Sequence, residues 1–303
     1  MTQGIAPAPV VFDPVAATGL ALAAGACLIG PVVAALWWHR RTGAPLRALG
    51  MGALVFFVSQ VILRLPWQIP LGRWVHAHSE WILPFLLFSS LTAGLFEETG
   101  RWAGYKYLLK SERSRRIAVM FGLGHGAVEA ILLAGLPLAG LLISWVMAAR
   151  GSVAAGPALD AIRQQTAAID FWRVQLATLE RASAMAVHVG LSLIVLQIWW
   201  RGGLRWLLLA ILLHFAVNAV AAILVLTLKL DPLVGELVLV VMAAAVLTLG
   251  WRLRAVPSLP RRHRWRLNRH ESDRGHPGSP DRSRRSGLGA TGDRLFEPDH
   301  DDR

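Results

Sequence analysis

An all-α, multipass transmembrane helical bundle is the predicted fold class, and three observations predict it. The 303-residue chain is 54% hydrophobic and 17% charged, with a mean hydropathy of +0.47, too apolar for an ordinary soluble domain. Several apolar runs reach the ~20 residues with which a helix crosses the hydrocarbon core. Arg and Lys collect in the links between those runs, as in proteins that keep basic loops on the cytoplasmic side. The formal charge of +12 is thereby assigned to membrane topology, and no nucleic-acid partner is expected.

Taken in order, the first expected span covers 15–38 and holds Cys27, the single cysteine of the chain, which excludes an internal disulfide and a Cys-based metal site. Residues 1–13 carry no Lys or Arg, so the basic start of a secretory signal is missing and the first segment is expected to be retained. The second span is expected over 46–65. Trp67, Pro70 and Trp74 in the following link suit the headgroup region. Spans over 81–104 and 117–135 come next, then a shorter run over 136–149 with Pro137 and Gly140, which fits a re-entrant or half-membrane helix. Leu159, Ile162, Thr166 and Ile169 keep a helical spacing with polar residues between them, as in a surface-lying helix. Spans over 174–200, 204–228 and 233–251 complete about seven crossings.

Orientation follows from the basic loops. Arg40, Arg41 and Arg47 mark the 39–47 loop, and Arg101, Lys106, Lys110, Arg113 and Arg115 mark the 101–116 loop. With both on the cytoplasmic side, the expectation is a multipass cell-membrane protein with its N-terminus outside and its C-terminus cytoplasmic. The chain divides into a transmembrane helical domain, 1–254, and a tail, 255–303, rich in Arg, Asp, Ser, Gly and Pro and expected to be a disordered, basic, cytoplasmic segment.

Ionisable groups inside a bilayer cost ~2.5–3.5 kcal/mol at a helix centre and are read first as functional. Here Glu97 and Glu98 end one apolar run with Arg101 after them, and His125 with Glu129, His188, and His214 with Asn218 interrupt others. Positions four apart share a helix face, so Glu97 with Arg101, His125 with Glu129 and His214 with Asn218 form facing pairs. One carboxylate of the Glu97–Glu98 pair can take a proton from water while the other holds a positioning group, or both can serve as helix-end acids paired with Arg101 or Lys106. Gly122, Gly124 and Gly126 around His125 let another helix or a substrate backbone come close. Glu129 needs a partner at that depth, and Arg181 beside Glu180 is the candidate. His188 suits an interhelical hydrogen bond as well as chemistry, while His214 and Asn218 suit either helix–helix contact or an oxyanion site.

FEETGRW at 96–102, GLGHGAVEA at 122–130, ERASAMAVH at 180–188 and HFAVN at 214–218 together resemble the YhfC family of intramembrane proteases. That family is in turn related to the CAAX-processing and bacteriocin-processing (CPBP) superfamily. The resemblance places a protease core at 81–228 and implies a role for each residue. Glu97 resembles the general base that activates water and Glu98 its electrostatic neighbour, His125 the water-orienting histidine, and His214 with Asn218 the oxyanion pair. Arg101 would anchor the glutamates, with Glu129, Arg181 and His188 in support. Three departures stand out: only Thr99 and Gly100 separate the acids from Arg101, Glu129 replaces an Asn, and His188 is an additional histidine.

The implied activity is an intramembrane endopeptidase of glutamate type acting on membrane-associated peptides or proteins, with no metal and no other cofactor. One alternative is a zinc-dependent intramembrane protease, since His and Glu are good ligands, although no HExxH is present. Another is a non-enzymatic membrane protein: a transporter or proton relay, against which no inverted repeat stands out, or an immunity-type protein.

Overall fold

A computed structural model of the chain describes residues 10–110, 112–154 and 156–253, save for the side chains of 225 and 226. The expected tail, 255–303, lies outside the described residues. Everything described is helix, turn or link. Helix α1 (Pro14–Thr42) starts where the Asp13 carboxylate accepts from the Val15 and Ala16 amides and ends at Gly43, whose φ of 64° suits a left-handed cap. Helix α2 (Leu46–Phe56) runs on as a π-helical segment, Phe57–Ile62, before a 44° bend into α3 (Leu65–His76). Helix α4 (Ile82–Ala103) likewise ends in a π segment, Gly104–Leu108.

Helices α5 (Arg115–Ala130) and α6 (Leu136–Ala149) are joined through the π segment Ile131–Gly135 into one 35-residue helix. The short run at 136–149 therefore does not cross as a span of its own. It prolongs α5 toward the face where the Trp145 indole donates to the Val11 carbonyl at 3.1 Å. A surface helix, α7 (Pro157–Ala167), buries only Leu159 and Thr166. Then come α8 (Phe171–Trp200), capped by Asp170, α9 (Arg205–Ala222) with its π segment Ile223–Thr227, and α10 (Pro232–Arg252), capped by Asp231. Six of these helical stretches are long and apolar enough to cross a membrane, and the bent α2–α3 pair makes up to seven. Outward-facing Ile29, Val33, Ile143 and Val241 are each exposed, forming an apolar belt suited to lipid.

Helices α5 and α8 are the centre of the bundle. Residues 117–127 of α5 and 187–197 of α8 are buried on every side, which requires neighbours all round. Helices α1, α2, α4, α9 and α10 supply them. Several of these contacts depend on glycine. A Cβ on Gly124 would collide with the Leu49 backbone of α2, and one on Gly122 would lie 2.7 Å from Val189 Cα of α8.

The basic ends of the helices gather at one face. The Trp38 indole donates to the Arg116 carbonyl at 2.9 Å, the Trp200 indole to the Arg113 carbonyl at 3.0 Å, and Arg115 to the Trp251 carbonyl at 3.0 Å. Arg47 pairs with Glu112 at the same level. Counting from that face at about 1.5 Å per residue puts His125 and His214 roughly 13–15 Å deep, near the middle of a ~30 Å hydrocarbon core.

Candidate functional site

Four helices bring their polar residues together at that depth. Glu97 and Glu98 come from α4, His125 and Glu129 from α5, His188 from α8, and His214 and Asn218 from α9. Neighbours on a helix project about 100° apart, so the two glutamates face different partners. Glu97 is held by His125, whose Nε2 lies 2.8 Å from Glu97 Oε2, and by the Gln60 side-chain amide on Oε1. His214 Nε2 approaches Glu97 Oε2 to 3.8 Å.

Glu98 is sealed away from the cavity. Arg101 Nε donates to Glu98 Oε2 at 2.9 Å, and His214 Nδ1 sits 2.9 Å from Glu98 Oε1. Arg101 is fully buried and spends its other donors on Ser192 Oγ at 2.7 Å and His188 Nδ1 at 3.0 Å. Guanidinium nitrogens only donate, so His188 Nδ1 accepts and its Nε2 carries the proton given to Glu129. Glu129 is completed by Arg181 at 2.9 Å, and Arg181 also binds Glu180. The His188 ring lies 4.5 Å from that of His125 and 5.6 Å from that of His214, centroid to centroid.

These partners correct two expectations. Arg101 was expected against Glu97, four residues away, and as the anchor of both acids; it pairs directly with Glu98, three residues away. A 0% exposed Arg101 is also no boundary of a basic loop, because α4 and its π segment carry the helix on to Leu108. His125 and Glu129 share a face of α5 but reach different helices. The imidazole turns to α4, and the carboxylate a turn further on is drawn to the Arg181 cation and His188 on α8.

A cavity of about 300 Å³ opens beside this network, lined by Glu97, Glu129, His188, His214 and Asn218. Its walls also include Gln60, Arg64, Gln68 and Ser89, none of them among the site residues expected from the sequence. Gln60 and Arg64 stand four apart in an apolar run, the same signal that singled out the other pairs. Ser192 and Tyr105, which brace Arg101 and the α8 backbone, carry no such signal.

Could the site hold a metal ion? Glu97, His125 and His188 are all buried and each offers a ligand atom within 4.8 Å of the others. A carboxylate with two imidazoles is a donor set used by catalytic zinc. His125 Nδ1 is buried without a partner, whereas both ring nitrogens of His188 are committed to Arg101 and Glu129. The residues fit such an ion provided that His188 releases one of those contacts.

Fold and site together define a polytopic helical membrane protein with a buried Glu/His/Arg centre beside an internal cavity. The family model described as YhfC intramembrane metalloprotease matches residues 26–239, and the chain belongs to the YhfC family. The uncharacterized membrane protein YhfC of Bacillus subtilis (strain 168) is 30% identical over 214 residues, covering 67% of this chain and 83% of that protein. No solved structure matches.

Proposed function

We propose that the chain is an intramembrane endopeptidase whose hydrolytic centre is Glu97, working on membrane-associated peptides or proteins. One observation carries this reading: Glu97, His214 and Asn218, an acid beside two groups able to donate, line the same cavity at mid-membrane depth. Hydrolysis inside a bilayer needs a water-holding space, a base and donors for the oxyanion, and these residues can fill each role.

In the glutamate-type reading, Glu97 takes a proton from a water in the cavity as that water attacks the scissile carbonyl. The bond from His125 Nε2 to Glu97 Oε2 fixes the orientation of the carboxylate. Glu98, held by Arg101, accepts from His214 Nδ1 and so directs His214 Nε2 at the cavity. In its imidazolium form that nitrogen donates to the developing oxyanion, with the Asn218 amide as second donor. Glu97 then returns its proton to the departing amine. The resemblance to the CPBP superfamily supports the same assignment of roles.

A second reading, metal-dependent hydrolysis, is favoured by the clustered Glu97, His125 and His188 and by the description of the matched family. Those three residues would hold the ion, which would supply Lewis-acid polarisation of the carbonyl and a more acidic water. Purified protein assayed for metal content and for turnover before and after chelation separates the two. Metal-free protein that still cleaves peptides supports the glutamate reading; stoichiometric metal lost together with activity and with Glu97→Gln supports the second. The expected orientation, N-terminus outside and C-terminus cytoplasmic, would put the gathered basic ends of the helices in the cytoplasm.

A further inference from the structure

Beyond Glu97 the cavity continues away from the basic face of the bundle. Arg64, Gln68 and Ser89 lie at that farther end. Arg64 is only 7% exposed. Its Nη1 donates to Gln60 Oε1 at 2.8 Å, its Nη2 to the Ser89 carbonyl at 2.6 Å and Ser89 Oγ at 3.0 Å, and its Nε weakly to Thr92 Oγ1 at 3.4 Å. Every one of these acceptors is neutral. Among the described residues Arg101, the other buried arginine, has Glu98 for a counter-charge, and Arg181 has Glu129 and Glu180. Among the described residues Arg64 reaches an acid only through Gln60, which passes on to Glu97.

A buried guanidinium without its own carboxylate is costly, and one Nη1 proton remains after these bonds. Gln68, one turn further along, donates to Ser89 Oγ at 2.5 Å and leaves its Oε1 buried with no partner. Both residues line the same cavity, Arg64 bringing a cation and Gln68 an unpartnered hydrogen-bond acceptor.

We propose that Arg64 and Gln68 form a specificity subsite for a substrate carboxylate, Arg64 binding the carboxylate and Gln68 Oε1 accepting from a nearby peptide N–H. This deepens the endopeptidase reading and rests on it for the position of the cleaved bond. Ser89 precedes Glu97 by eight residues on α4, about 12 Å, which an extended peptide covers in roughly three or four residues. The substrate is then an apolar peptide with a carboxylate, at its own C-terminus or on an acidic side chain, about that far from the scissile bond. The carboxylate end points away from the basic face.

The test is equilibrium binding to full-length Glu97→Gln protein in nanodiscs. Three probes are compared: N-acetyl-tetraleucine as free acid, the same peptide as amide, and an amidated form with glutamate in last place. The free acid is expected to bind about tenfold or more tighter than the amide, the range of a charge-assisted hydrogen bond. Adding Arg64→Gln should remove that preference, and Arg64→Lys should restore part of it. A glutamate probe that matches the free acid shows that either carboxylate is accepted, one that binds tighter than both others identifies a side-chain carboxylate, and one that binds like the amide identifies a chain terminus. Equal binding of all three probes overturns the proposal, as does an Arg64→Gln loss equal for all three, which would leave Arg64 only positioning Gln60. Acid preference in a protein that never cleaves keeps the subsite and removes the endopeptidase reading; cleavage without acid preference does the reverse.

Discussion

Replacing Arg101 by Met should be among the most damaging single changes available in this chain. The guanidinium is 0% exposed and holds Glu98 through two nitrogens, at 2.9 and 3.3 Å, Ser192 at 2.7 Å and His188 at 3.0 Å. Met fills much of the same volume, so the loss is electrostatic: Glu98 is left as a buried charge with His214 as its remaining partner. Removing one member of a buried pair costs about 3–5 kcal/mol, whereas replacing both by uncharged groups is often close to neutral. Arg101→Met should therefore lose about that much in denaturant unfolding from mixed micelles, and Glu98→Gln/Arg101→Met should recover about 2 kcal/mol or more of it. The double variant isolates the charge because the lost contacts to Ser192 and His188 are common to both proteins. A single variant that costs less than about 1 kcal/mol, or a double variant no better than the single, would refute a buried Glu98–Arg101 pair as the electrostatic anchor of α4.

Two further outcomes follow from packing and from the site. Gly124→Ala pushes a methyl into the Leu49 backbone and should cost ~1–3 kcal/mol or more in the same unfolding assay, while Gly140→Ala, which meets nothing within 4 Å, should be close to neutral. Asn218→Ala should lower kcat by about 10²–10³ with KM little changed, as loss of one oxyanion donor does, measured by peptide turnover in proteoliposomes.

Much of this architecture is legible because a bilayer leaves few ways to be stable. Apolar runs of the right length must be helices, and acids or imidazoles within them must face inward, so Glu97, His125, His188 and His214 could be placed at one centre from their positions alone. Which group touches which was not legible. A facing pair on one helix fixes a side, but Glu97 and Glu98 are both within reach of Arg101 on α4, and the side-chain conformation that bonds Ser192 of α8 is the one that meets Glu98. Pro66 marks the 44° bend before α3, but the π segments that end α2, α4 and α9 leave no clear mark in composition. Arg64 falls within the expected 46–65 span and is not among the residues singled out there. Only the cavity shows it to be buried beside Ser89.

Glu97 is the group proposed to make water attack a peptide bond. The direct measurement incubates purified protein in nanodiscs with a library of apolar peptides in heavy-oxygen water and reads the products by mass spectrometry. Wild type should yield fragments whose new carboxyl carries the label, and Glu97→Gln, folded and with an unchanged unfolding midpoint, should yield none. Labelled fragments at equal rate from both proteins, or none from either, would contradict that role.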